Sequence, residues 1–177
     1  MSVAALLIAL AIPQSVASTP PPSPMAEAHQ HEACPTDAAA LPAGMEGWAT
    51  PKPVKAGATP TKATRLTLGV ATSAMLLPTP SLIYAKRPEK PGGSVSSGGL
   101  FAFDVPAAGR YRVALGSGAW VDVLGGSTPA ISVAHGHGPA CSTILKMVDF
   151  DLQPGHYLLQ VAGNGTPTLP LMVSRLP

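Results

Sequence analysis

From Arg65 onward, apolar residues recur at every second position in short runs parted by Gly- and Pro-rich turns, and this alternation restricts the fold most. Phe101, Phe103 and Val105 alternate with Ala102 and Asp104, and Tyr111, Val113 and Leu115 with Arg110, Arg112 and Ala114. Val121 and Val123 flank Asp122. Val148, Phe150 and Leu152 alternate with Asp149 and Asp151, Tyr157, Leu159 and Val161 with Leu158 and Gln160, and Leu169, Leu171 and Val173 close the series. Side chains two apart share one face of a strand, so each run offers an apolar face to a core. Arg65–Val70, Ala74–Pro78 and Leu82–Tyr84 read as further short strands, and Ile131 and Val133 as a strand leading into a His-rich loop. About eight or nine such strands predict an all-β fold, an antiparallel two-sheet β-sandwich of jelly-roll-like form.

The chain before this domain is different in kind. The uncharged run VAALLIALAI lies between Met1 and Pro13, and the small residues Ser15, Ala17 and Ser18 follow it. That is the pattern of a secretory signal peptide over residues 1–18. The run is shorter than the roughly 20 apolar residues a bilayer-spanning helix needs, so the mature protein is expected to have no transmembrane span. Residues 19–62 read as a Pro/Ala-rich arm and linker, disordered at its start because TPPPSP has neither ladder donors nor apolar bulk. Trp48, in GMEGWATP, is expected to anchor this arm to the core. The sandwich domain is then 63–177. A net charge of +2 and the lack of any Lys/Arg-rich run argue against nucleic-acid binding.

An exported chain with two cysteines is expected to pair them, here Cys34 with Cys141. Each cysteine follows a His-x-His pair: His29 and His31 before Cys34, His135 and His137 before Cys141. A bridge would bring the two pairs within roughly 15 Å, the reach of a few extended residues. Imidazole suits Cu, Zn or Fe, so His135, His137, His29 and His31 form a candidate metal site. The plainer reading leaves all four histidines solvated and the disulfide as a staple for the arm.

Other polar groups offer less. Asp149 and Asp151 lie two apart on the outward face of one strand, with His156 on the next; such a set holds Ca²⁺, works as an acid/base trio, or is simply a solvated face. Trp120, with these residues, belongs to the surface where a ligand is expected. Arg87, Glu89 and Lys90 are an exposed charged cluster. Ser117 in LGSGAW is a turn residue, since no helix follows it to make a nucleophile elbow. GGSVSSGG lacks the lysine and helix of a phosphate-binding loop.

Two segments echo each other, FDVPAAGRYRV (Phe103–Val113) and FDLQPGHYLLQV (Phe150–Val161). Each reads as a hairpin turned by Gly109 or Gly155, with Tyr111 or Tyr157 burying its ring while its hydroxyl reaches the backbone. The stretch Phe101–Val161 is similar to bacterial pre-peptidase C-terminal domains, with Phe150, Leu152, Gly155, Tyr157 and Val161 matching their late hairpin signature. That similarity implies a small secreted β-sandwich with an accessory, non-catalytic role. Across the exported chain, GWATP, RPEKPGGS, YRVALGSGAWVDV, HGHGPACS and KMVDFDLQPGHYLLQ resemble a family of short bacterial exported proteins, some of which carry the label homogentisate 1,2-dioxygenase. That label implies a metal-dependent enzyme using iron.

Together these features predict a periplasmic or secreted, non-catalytic binding or accessory protein whose ligand is a metal ion, a glycan or another envelope protein. A metal-dependent dioxygenase and a structural envelope protein are the alternatives.

Overall fold

The alternation becomes strands in a computed structural model, which describes Cys34 and residues 40–177. The predicted signal peptide, the start of the arm, and His29 and His31 lie outside the described residues. In chain order the strands are β1 (Lys52–Lys55), β2 (Thr64–Arg65), β3 (Thr72–Met75), β4 (Leu77–Pro78), β5 (Ser97–Val105) and β6 (Gly109–Leu115). There follow β7 (Trp120–Gly125), β8 (Thr128–Pro129), β9 (Ser132–Gly136), β10 (Lys146–Leu152), β11 (Gly155–Asn164) and β12 (Thr168–Arg175). Helical structure among the described residues is confined to short 3₁₀ turns at Glu46–Ala49, Pro60–Lys62 and Thr79–Ser81.

Two sheets form. The first runs β1-β3-β12-β6-β10-β9, and the second runs β2-β5-β11-β7-β8 with β4 also on β5. The inward residues are those the alternation selects: Phe101, Phe103, Tyr111, Val113, Leu115, Phe150, Leu159 and Leu171 are nearly inaccessible and join one core. Each such side chain taken fully from water contributes about 1.5–3 kcal/mol before conformational entropy opposes it. The Phe103 and Tyr157 rings stack at 5.8 Å across this core's edge.

The two-sheet, all-β sandwich forms as expected and most of its pairs are antiparallel, with two exceptions. The pairs β1–β3 and β2–β5 are parallel, so both sheets are mixed at one edge. After β1 the chain crosses to the second sheet for β2 and returns for β3, and a strand that leaves and comes back re-enters in its original direction. The strand expected over Arg65–Val70 is correspondingly short. It pairs only at Thr64 and Arg65, and Gly69, at φ 75°, turns the chain back toward the first sheet. Leu82–Tyr84 is not a strand. It belongs to a loop laid on the outer face of the second sheet, where the buried Gln160 accepts from the backbone N–H of Ala85 (2.6 Å) and Lys86 (3.2 Å).

The echoed segments are not hairpins either. β5 and β11 lie in the second sheet while β6 and β10 lie in the first, so each link is an arch between layers. The tyrosines act as expected. The Tyr111 hydroxyl donates to Ala107 O at 2.8 Å, and that of Tyr157 to Gln153 O at 3.0 Å, each reaching back four residues across its corner. Gly109 does not supply a positive φ, and a Cβ there would come 3.1 Å from Arg175 Nε. Tyr111→Phe should lose about 1–2 kcal/mol in urea unfolding, because Ala107 O loses its partner at a buried ring. Tyr157→Phe, at a more exposed corner, should lose less.

Residues 40–62 are more than a linker. Met45 and Trp48 are buried against Ala114, Ile144 and Met172 in a second, smaller cluster, and β1 belongs to the first sheet. Trp48 anchors the segment as expected: its Nε1–H reaches Ser142 O and Thr143 Oγ1, both at 3.0 Å. Cys34 and Cys141 are joined, with Cα atoms 5.6 Å apart.

Candidate functional site

At one open edge of the sandwich, β7 of the second sheet faces β9 and β10 of the first, and a cleft of about 280 Å³ runs in between them. A neighbouring hollow of about 400 Å³ shares Trp120, His135 and Lys146 with it. Trp120 and Asp122 are two apart on β7 and so share a face. The indole Nε1–H donates to Asp122 Oδ1 at 3.0 Å, which fixes the ring's orientation. Asp122 Oδ2 is buried without a hydrogen-bond partner among the described residues. Burial first, and the Asp122 charge second, push the nearby Tyr84 hydroxyl up to about 12.

Two ammonium groups lie over this one indole. Lys90 Nζ is 5.6 Å and Lys146 Nζ 5.7 Å from the ring centroid, within cation–π range. Lys146 also donates to Ala119 O at 2.8 Å. Its pKa is lowered, mainly by burial and further by the charge of Lys90. Lys90 was legible only as part of a charged loop. The Gln160-held loop brings it onto Trp120.

Of the predicted histidine site, the structure describes His135 and His137. His135 lies in β9 and His137 one residue past its end, and both are exposed. His135 Nε2 is hydrogen-bonded to Ser132 Oγ at 2.7 Å, and its ring lines the cleft. His137 donates from Nδ1 to Leu145 O at 2.6 Å, which in the neutral ring puts the lone pair on Nε2. Among the described residues no three His, Cys, Asp or Glu side chains are grouped to hold a metal ion.

Asp149, Asp151 and His156 are not brought together. β10 lies antiparallel to β6, which sets Asp149 opposite Arg112 and Asp151 opposite Arg110. Arg112 binds Asp149 through Nε (2.7 Å) and Nη2 (2.8 Å), and Arg110 binds Asp151 through Nε (2.9 Å) and Nη2 (3.2 Å). The hydrogen bond from Arg110 holds the Asp151 carboxyl below its ordinary range. Each carboxylate is thus occupied by a guanidinium fork, which leaves no shared site for Ca²⁺. Asp149, expected on a solvated face, is buried. His156 on β11 instead meets Asp104, which also contacts Arg65. The His156 hydrogen bond, followed by that of Arg65, holds the Asp104 carboxyl below its ordinary range. Ser117 is a turn residue as expected, donating to Asn164 Oδ1 at 2.6 Å.

No helix among the described residues is long and apolar enough to cross a membrane. No protein-family model matches this chain, and no curated protein matches it. Among solved structures, it is similar to the pre-peptidase C-terminal domain of a collagenase from Bacillus anthracis, with a TM-score of 0.40 and 20% identity, over 63% of this chain and 93% of that one.

Proposed function

We propose that this protein is an exported, non-catalytic binding module whose ligand enters the open-edge cleft beside Trp120 and His135. The observation that carries the reading is the fixed indole. A tryptophan pinned by its own strand neighbour, partly exposed at a cleft between two sheets and ringed by three cationic or ionisable side chains, is a prepared contact surface. Export is supported by the apolar N-terminal run and by the joined cysteines, since disulfides persist in oxidising compartments. The test is a fragment screen followed by calorimetry on each hit. Trp120→Ala should weaken hits at least tenfold, the loss of an aromatic anchor. Hits indifferent to that change would refute the reading.

A second reading, binding of Cu, Zn or Fe, rests on His137. Its Nδ1–H is committed to a backbone carbonyl, an arrangement that orients the opposite nitrogen for a metal. His135, two residues earlier in the chain, is the second ligand in this reading, and His29 and His31, which lie outside the described residues, are proposed to supply the rest. Protein purified from the periplasm should then carry one equivalent of metal, lost in His135→Ala and in His137→Ala. Metal-free wild-type protein would remove it.

A further inference from the structure

Resting on the cleft reading, we propose that the hollow beside Trp120 binds an oxyanion, a carboxylate, phosphate or sulfate group, held between Lys90 and Lys146 with His135 as the third contact. The two ammonium groups are drawn to one indole although like charges repel. Among the described residues neither lysine is in an ion pair; the four pairs present use Arg65, Arg110, Arg112 and His156. Lys146 spends one donor on Ala119 O, and its remaining donors are free for a ligand. An anion seated between the two ammoniums accepts from both and cancels their repulsion, which no neutral ligand does.

The lining supports the same sign. The hollow has Lys90, His135 and Lys146 among its walls and no carboxylate. Glu89 and Asp122 line the adjoining cleft instead, where Asp122 Oδ1 is committed to the indole. The rest of the hollow is nearly bare backbone. Gly92 and Gly163 pack so closely that a Cβ on Gly92 would come 2.7 Å from Gly163 Cα, and a Cβ on Gly118 would meet nothing within 4 Å. The side at Gly118 is open, and about 400 Å³ admits a monosaccharide-sized acid as well as a free anion.

The experiment is NMR titration of the full mature chain with inorganic phosphate, methyl glucuronoside and the neutral methyl glucoside. Phosphate or the glucuronoside should move the Trp120 indole and Gly118 resonances, with the neutral sugar at least tenfold weaker. A tighter glucuronoside identifies an acidic sugar as the source, and phosphate equal or tighter identifies a phosphate group. Lys90→Met should weaken anion binding about tenfold, the loss of one charge-assisted contact. Lys90 sits on an exposed loop, so this variant folds even if Lys146→Met does not. Anion shifts unchanged in Lys90→Met, or no shift with either anion, would overturn the proposal. A neutral sugar binding as well as the glucuronoside would also overturn it, while leaving the cleft a ligand site.

Discussion

Asp149→Ala is expected to destabilise the protein by about 3–5 kcal/mol, a large share of the 5–15 kcal/mol typical of a folded domain. The side chains of Asp149 and Arg112 are only 6% and 17% exposed, and they meet through two short, parallel hydrogen bonds. Removing the carboxylate strands a guanidinium that burial already disfavours. The hydrogen bond that Arg112 donates to Asp149 is the chief reason the Arg112 pKa is raised above its ordinary value. Asp151→Ala provides the control. Its pair with Arg110 is about half exposed on both sides, and exposed pairs contribute about 0–1 kcal/mol. Replacing both buried partners, as Arg112→Met with Asp149→Leu, should recover most of the loss, because no unpaired charge is then left behind. Urea unfolding of the four proteins checks this. Equal losses for Asp149→Ala and Asp151→Ala would show that the first pair is not buried in solution.

Replacing Cys34 and Cys141 together by serine should lower stability by about 4–5 kcal/mol in the chain-entropy account. The joined residues are 107 apart in sequence, so the bond removes a very large loop from the freedom of the unfolded chain. Its second effect is local. Cys141 adjoins Ser142 and Thr143, whose backbone and hydroxyl receive the Trp48 indole, so the bridge and the Trp48 anchor hold the same loop. The urea midpoint of the double variant should therefore fall sharply, and reduced wild-type protein should unfold at the same midpoint. A midpoint unchanged by reduction would mean the bond is absent from the native protein.

How much of this was legible in the sequence depends on the range of the interactions involved. Period-two alternation marked Phe101, Phe103, Tyr111, Val113, Phe150 and Leu159 as inward, because face is a local property of a strand. The sheet to which a strand belongs is not local. The link Pro106–Ala108 suits a hairpin or an arch, and only the pairing of β5 with β11 and of β6 with β10 decides for the arch. Asp149 shows the same limit. Alternation placed it correctly on the outer face of its strand, but nothing local says that Met45 and Trp48 return to pack on that side of the first sheet, against Met172 and Ala114. The Arg-x-Arg of β6 and the Asp-x-Asp of β10 carry matching spacing, a signal that becomes readable once the two strands are set antiparallel.

The site followed the same rule. Cysteine parity predicted the Cys34–Cys141 bond, and Trp120 and His135 were singled out from residue type alone. Lys90 and Lys146 were not tied to Trp120, since one comes from a loop held by Gln160 and the other from the far sheet. Ile131 and Val133, read as a strand with an apolar face, are 85% and 46% exposed: Ile131 precedes β9 at the cleft, and the register of β9 against β10 shifts at Val133, on the edge strand of its sheet.

Whether the open edge is where this protein meets its ligand can be read from one resonance. The chain has two tryptophans, so its indole N–H spectrum holds two signals, and Trp48→Phe assigns them. Titration with an anionic ligand should move the Trp120 signal saturably while Trp48, locked on Ser142 O, stays still. A Trp120 signal unmoved by every ligand that the protein binds would contradict the assignment of this cleft.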